Sequence, residues 1–231
     1  MRGGAEETTS GVRPLRNLAD RGGLYVPVIA VNDAQSKTLF DNRYGTGQTC
    51  AFAIDHEAHG NTWAIIGYGP VGAGVAQCAR ALGKTVSVVE IDPIRALEAA
   101  SAGYHVETIE EALAADVVVS ATGYARTITN AHMDASHAVF AVAGGAPEEA
   151  PSTALAGGHG INYTVAEGNP IEIMDMSFAC QLFAVRQLIT TVRSPCFHFE
   201  RAAYQKVSWL PTSIIVLRKS RHQRLLCIPP P

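Results

Sequence analysis

With 231 residues, 47% of them hydrophobic and a net charge of −3, the chain has ample apolar content for a packed core, in one large domain or one and a half ordinary ones. No apolar run approaches the ~20 residues of a membrane span, and the opening MRGGAEETTS carries no hydrophobic signal segment, so a soluble, cytoplasmic globular protein is expected. The five cysteines are odd in number, scattered and without a C-x-x-C pair, and the eight histidines show no ligand spacing. Neither a disulfide framework nor a metal site is expected.

In chain order, the opening segment to about Asp20 reads as polar and irregular, and Tyr25 to Val31 as a strand or extended entry. Ala34 to Tyr44 and Gln48 to His56 look like helical connectors. Next comes TWAIIGYGPVGAGVAQCARALGKTVSVVEIDP, Thr62 to Pro93, the most informative stretch of the chain. A β-rich run, Trp63 to Ile66, feeds Gly67, Gly69 and Gly72 in G-x-G-x-x-G spacing, and a helical pattern from Val71 to Leu82 follows. The first glycine permits a tight turn, the second lets the backbone approach a pyrophosphate, and the third lets helix and strand pack closely. The start of that helix, beside Pro70 and Val71, offers free N–H groups to the anion. A second strand, Thr85 to Val89, ends at Glu90, 21 residues after Gly69. A carboxylate at about this offset of ~20 residues binds a ribose diol and repels a 2′-phosphate, which favours NAD over NADP; nearby Arg95 weakens that preference.

Asp92 and Pro93 read as N-cap and first turn of a helix to Ala102. The alternation continues with strand His105 to Ile109, helix Glu110 to Ala115, and strands Asp116 to Ala121 and Ala138 to Ala143. This pattern demands parallel crossovers and predicts an α/β fold with a doubly wound parallel sheet, a Rossmann-type NAD-binding domain. Thr122-Gly123 and Ala143-Gly144-Gly145 fall at strand ends, where such folds place ligands, although turn chemistry alone could also account for them. Met174 to Ile189 has helical periodicity. From residue 192 onward seven Lys or Arg stand against Glu200 alone, giving +6, while residues 1–191 carry −9. Three regions are expected: a connector over 1–55, the NAD-binding domain over 56–191, and a basic tail over 192–231. The tail lacks aromatic interleaving or a recognised motif, so no nucleic-acid partner is expected, and no membrane partner either.

At Val31 to Thr49, VNDAQSKTLFDNRYGTGQT, the chain resembles the adenosylhomocysteinase family, whose V-N-D-x-x-x-K-x-x-F-D-N-x-Y-G signature is matched at every fixed position. EETTSG at Glu6 to Gly11 is similar to the family's E-E-T-T-T-G, GYGPVGAG to its G-Y-G-x-V-G-x-G, and VAEGNP, Val165 to Pro170, to its A-E-G segment. The resemblance implies an NAD-containing hydrolase that splits S-adenosylhomocysteine, a nucleoside thioether, into adenosine and homocysteine. Bound NAD⁺ takes hydride from the ribose 3′ carbon, the 4′ proton leaves, homocysteine is eliminated, water adds, and the hydride returns. It implies Lys37 as the proton-handling group, Asp41 as its partner at the ribose hydroxyls and Glu7 as a substrate hydroxyl acceptor. Thr8, Thr9, Ser10 and Asn42 would sit on the cofactor, with Thr122 at its nicotinamide side. A homo-oligomer is implied as well. Without the resemblance, Lys37 and Asp41 read as an ordinary exposed i, i+4 pair.

Departures accompany the match. Only six residues precede Glu7, where the family has a substrate-binding half, so slow or absent turnover by this chain alone is expected. Gly145 stands where the family has a catalytic-site histidine, Arg95 where it has asparagine and Thr46 where cysteine is usual. Two other readings are an NAD-dependent oxidoreductase for another nucleoside or sugar alcohol, and a noncatalytic NAD-binding protein.

Overall fold

The computed structural model describes residues 3–191 and 215–217, which divide into two compact units. The first comprises the chain to Thr38 together with the chain from Asp175 onward; the second is Leu39–Met174.

In the first unit, β1 (Gly4–Glu6) runs parallel to β2 (Val28–Ala30), and β8 (Ile215–Leu217) adds antiparallel to β2. Of the basic tail, only this strand lies within the described residues. Ile29, Val31 and Ala34 form a small core with Cys180 and Ala184 of α9 (Ile171–Thr191), a helix that begins in the second unit. Helix α1 (Thr9–Asp20) replaces the irregular opening expected from the sequence. Its N-cap is Thr8, whose hydroxyl accepts from the N–H of Gly11, and its Val12 is buried. Pro14 and Gly11 disguise a helix that capping and burial nevertheless stabilise. A turn at Val31–Asp33 and the one-turn α2 (Gln35–Lys37) follow β2.

The second unit opens with a π-helical segment, Thr38–Thr46, that begins at the boundary and runs into α3 (Gly47–Glu57). Then come β3 (Thr62–Ile66), α4 (Pro70–Ala81), β4 (Thr85–Val89), α5 (Pro93–Ser101), β5 (His105–Val106), α6 (Ile109–Ala112), β6 (Val117–Ser120), α7 (Asn130–Asp134), β7 (Val139–Val142) and α8 (Ile161–Thr164). The five strands are all parallel in the order β5-β4-β3-β6-β7. Counted from β3, that is 3-2-1-4-5, the winding of a Rossmann sheet, with the switch point between β3 and β6. Both faces are covered, so strand residues alternate between two cores: Trp63, Ile65, Val117 and Val119 join one, Ala64, Ile66, Val118 and Phe140 the other.

The expected strand His105 to Ile109 stops at Val106, because Thr108 and Glu111 form a reciprocal capping box that starts α6. Helix α3 crosses α4 at near backbone contact: a Cβ on Gly47 would lie 2.7 Å from the Cα of Gly74, and one on Gly74 would lie 2.0 Å from the carbonyl oxygen of Arg43. These two glycines seat the π-helical segment against α4. Among the described residues no helix is long and apolar enough to cross a membrane.

Candidate cofactor site

Three residues at the end of β3 shape the crevice. Gly67 takes a left-handed φ of +93°, and its N–H donates to the carbonyl of Val89 at 2.7 Å, tying the turn to the neighbouring strand. At Gly72 a Cβ would fall 1.9 Å from the carbonyl oxygen of Gly67, so the helix can approach this closely only with no side chain. Gly69 is the N-cap of α4, and no side chain caps that helix. The nearest atom to a Cβ there is the Nη1 of Arg95, 3.5 Å away, so backbone amides and a guanidinium face the space in front of the helix. Pro70 and Val71 form the first turn and are half-buried.

Glu90 sits just past β4 with its carboxylate fixed by three backbone donors. Tyr68 N–H donates to Oε2 at 2.7 Å, and Ile91 and Asp92 N–H donate to Oε1 at 2.8 and 2.9 Å. Oε2 therefore keeps acceptor capacity for a hydroxyl. Beside it the side chain of Ile91 is 96% exposed, an apolar surface at the edge of the crevice.

Across the switch point, the ends of β6 and β7 are joined by a buried acid that the sequence reading missed. Glu149 is fully buried, and its Oε1 accepts from Ser120 Oγ (2.6 Å), Thr122 N (3.1 Å), Thr122 Oγ1 (3.1 Å) and Gly123 N (3.0 Å). Gly144 and Ala143 donate through their N–H groups to the Ser120 carbonyl. Ala143 is buried in the core, so it presents backbone alone to the crevice.

In the π-helical segment the usual burial rule is reversed. Asp41 and Asn42 are 4% and 8% exposed, while Leu39, Phe40 and Tyr44 are 45%, 43% and 43% exposed. Asn169 donates from Nδ2 to Asp41 Oδ1 at 2.5 Å and to Thr46 Oγ1 at 3.2 Å. It is a second residue that no local pattern signals.

The remaining expected residues lie in the first unit. Lys37, at the end of α2, is 4% exposed. Glu7 precedes α1, Thr8 caps it and Thr9 and Ser10 begin it. Thr8 Oγ1 donates to Glu6 Oε1 (2.6 Å) and accepts from Gly11 N, Thr9 Oγ1 donates to Asn32 Oδ1 (3.0 Å), and Ser10 Oγ donates to Thr8 Oγ1 (3.3 Å).

The tight glycine turn, the uncapped helix start and the fixed carboxylate after β4 fit a dinucleotide. Residues 43–174 match the family described as S-adenosyl-L-homocysteine hydrolase, NAD binding domain. The chain belongs to the S-adenosyl-L-homocysteine hydrolase family. NAD is the cofactor of that domain, and the residues present fit it. An adenosylhomocysteinase from Thermotoga maritima is 36% identical over 97% of this chain and 66% of its own length. One from Aeropyrum pernix is 40% identical over 80% of this chain and 53% of its own. An S-inosyl-L-homocysteine hydrolase from Methanosarcina mazei is 38% identical over 85% and 56%. The chain thus spans about half to two thirds of the length of these hydrolases. Among the described residues no cluster of His, Cys, Asp or Glu could hold a metal ion.

Proposed function

We propose that the chain carries the NAD-dependent redox chemistry of S-adenosyl-L-homocysteine cleavage. The carrying observation is the burial of Lys37 and Asp41, each 4% exposed, where i, i+4 spacing alone would give a solvated pair. Lys and Asp are almost never this buried without a partner or a task, because desolvating each charge costs several kcal/mol. Both fall in the segment whose residues match the family's signature.

Bound NAD⁺ supplies a hydride acceptor for the ribose 3′ carbon and later returns the hydride. In this reading Lys37 takes and restores the proton of the 3′ hydroxyl. Asp41 accepts a hydrogen bond from the ribose hydroxyls, with Asn169 holding its other oxygen in register, and Glu7 accepts from a substrate hydroxyl. Thr8, Thr9, Ser10 and Asn42 serve the cofactor through backbone and side-chain contacts. Glu90 takes the ribose diol of its adenosine half, Gly69, Pro70, Val71 and Arg95 its pyrophosphate, and Thr122, Gly123, Ala143 and Gly144 its nicotinamide half. A cytoplasmic homo-oligomer acting on a nucleoside thioether belongs to the same reading.

The test separates cofactor from turnover. Protein purified under native conditions is loaded with NAD⁺, adenosine is added, and the absorbance band of reduced nicotinamide is followed. Reduction should appear with the native chain and vanish with Lys37→Ala at unchanged NAD⁺ binding. Inosine run in parallel reads the choice of base. If the loaded native chain gives no reduction with either nucleoside, the proposed chemistry is wrong.

A further inference from the structure

Glu149 is a fully buried carboxylate with no ion pair to Lys or Arg among the described residues, and the chemistry above does not use it. Its surroundings are neutral donors drawn from two strand ends. Four donor atoms converge on Oε1, from Ser120, Thr122 (twice) and Gly123, and Ala146 N–H faces Oε2 at 3.4 Å. The backbone carbonyl of Glu149 accepts from Ile128 N at 3.0 Å, and that of Glu148 accepts from Arg126 N at 2.7 Å, so the acid is also stitched into the loop after β6. Gly144 packs against it closely: a Cβ there would lie 2.3 Å from Oε2. Glu90 marks the adenosine half of the cofactor site on the β4 side, so the second mononucleotide half falls over β6 and β7. Glu149 ties together the segments that follow those two strands.

We infer that Glu149 is a positioning residue that sets the loops after β6 and β7 in the shape the nicotinamide half requires, an inference that rests on the NAD reading. An amide cannot replace it. Whichever way a Gln side chain is turned, its NH₂ meets a backbone N–H: those of Thr122 and Gly123 on one side, that of Ala146 on the other. The loops must then move, while the glycine turn at Gly67 to Gly72 and the Glu90 carboxylate are untouched.

The experiment measures affinities of the full chain for NAD⁺ and for ADP-ribose, which lacks nicotinamide, by titration calorimetry. Glu149→Gln should weaken NAD⁺ about tenfold and leave ADP-ribose within about twofold. Ser120→Ala, which deletes one donor and leaves the acid in place, should shift the ratio in the same direction by about threefold, and it carries the test if Glu149→Gln does not fold. General destabilisation would weaken both ligands together. Equal losses for both ligands, or an unchanged ratio in the folded variants, overturn the inference. Failure of the unsubstituted chain to bind NAD⁺ overturns instead the cofactor reading beneath it.

Discussion

Gly72→Ala and Gly69→Ala separate two roles that the fingerprint glycines combine. At Gly72 the new methyl would sit 1.9 Å from the Gly67 carbonyl oxygen, 2.9 Å from its carbon and 3.3 Å from the Ala121 Cβ. An ordinary contact is about 3.5 Å, so backbone on one side must retreat by more than an ångström. Gly67 is held by its hydrogen bond to Val89 and by its φ of +93°, and α4 is held by its buried face, including Val75, Ala76 and Ala79. Overpacking against fixed backbone places the cost at about 2–3 kcal/mol, a loss of about 4–12 °C in Tm for a chain of this size. Gly69 has an ordinary extended backbone (φ −74°, ψ −176°) and open space before it, so Ala there should cost under about 1 kcal/mol. Its methyl would instead hold a pyrophosphate off the backbone amides. Losing one charge-assisted hydrogen bond of about 1.5–3 kcal/mol weakens NAD⁺ about 10- to 150-fold. Thermal unfolding by circular dichroism and NAD⁺ titration read the two effects separately. A stable Gly72→Ala, or a Gly69→Ala that binds NAD⁺ like the native chain, would refute this reasoning.

Burial pushes the Cys50 thiol up to about 12, against a smaller opposing hydrogen bond from the Asn162 backbone. At pH 8 iodoacetamide should therefore modify half-buried Cys78 well before Cys50, as mapped by peptide mass spectrometry, with Cys50 reacting only on unfolding. Asp116, which accepts from the N–H of Thr62 and Asn61 and from the Thr62 hydroxyl, has its carboxyl held below the usual 3.8 by those bonds. Its contribution is present above that value and is lost as pH falls through the lowered one. The stability gap between native protein and Asp116→Ala, measured by urea titration, should hold from pH 7 to 5 and shrink below about pH 4. Asn169→Asp would set a second carboxylate against Asp41. Like charges at that range cannot both ionise cheaply, so this variant should be less stable than native at pH 7 and recover toward native stability as pH falls toward 4. A deficit independent of pH would show that the two groups do not face each other in solution.

Elements whose cause is local were legible in the sequence. Thr85–Val89 was placed to the residue because a β-prone run ends in a turn acid, and α4 to within a residue by its helical periodicity, the offset arising because Pro70 starts it. Helix α1 was not, since its evidence lies in a cap and a single buried valine, while Gly11 and Pro14 argue against it. The end of β5 was missed although Thr108-x-x-Glu111 is a readable capping box. Glu149 and Asn169 could not be found by pattern. The partners of Glu149 Oε1 lie 26 to 29 residues away at the end of β6, and Asp41 lies 128 residues from Asn169. Nothing about an acid in a Gly- and Pro-rich loop, or an asparagine before proline, distinguishes a buried organiser from a turn residue.

The π-helical segment is not arranged as apolar burial alone would arrange it. Burying Asp41 and Asn42 while leaving Leu39, Phe40 and Tyr44 more than two-fifths exposed inverts the arrangement that apolar burial favours. Each apolar side chain left in water forgoes up to about 1.5–3 kcal/mol, and each buried polar group stays tolerable only by finding partners. Asn169 supplies one to Asp41, and Gly47 and Gly74 supply the close crossing that fixes the segment's seat on α4. Thus residues from two distant parts of the unit, Gly74 and Asn169, help hold the segment with its polar side chains out of water. Stability alone favours the opposite arrangement, and a π-helix sustained over nine residues adds a further local cost. Such a concentration of unfavourable choices, each compensated from elsewhere, is expected where side chains must be held ready for a reaction.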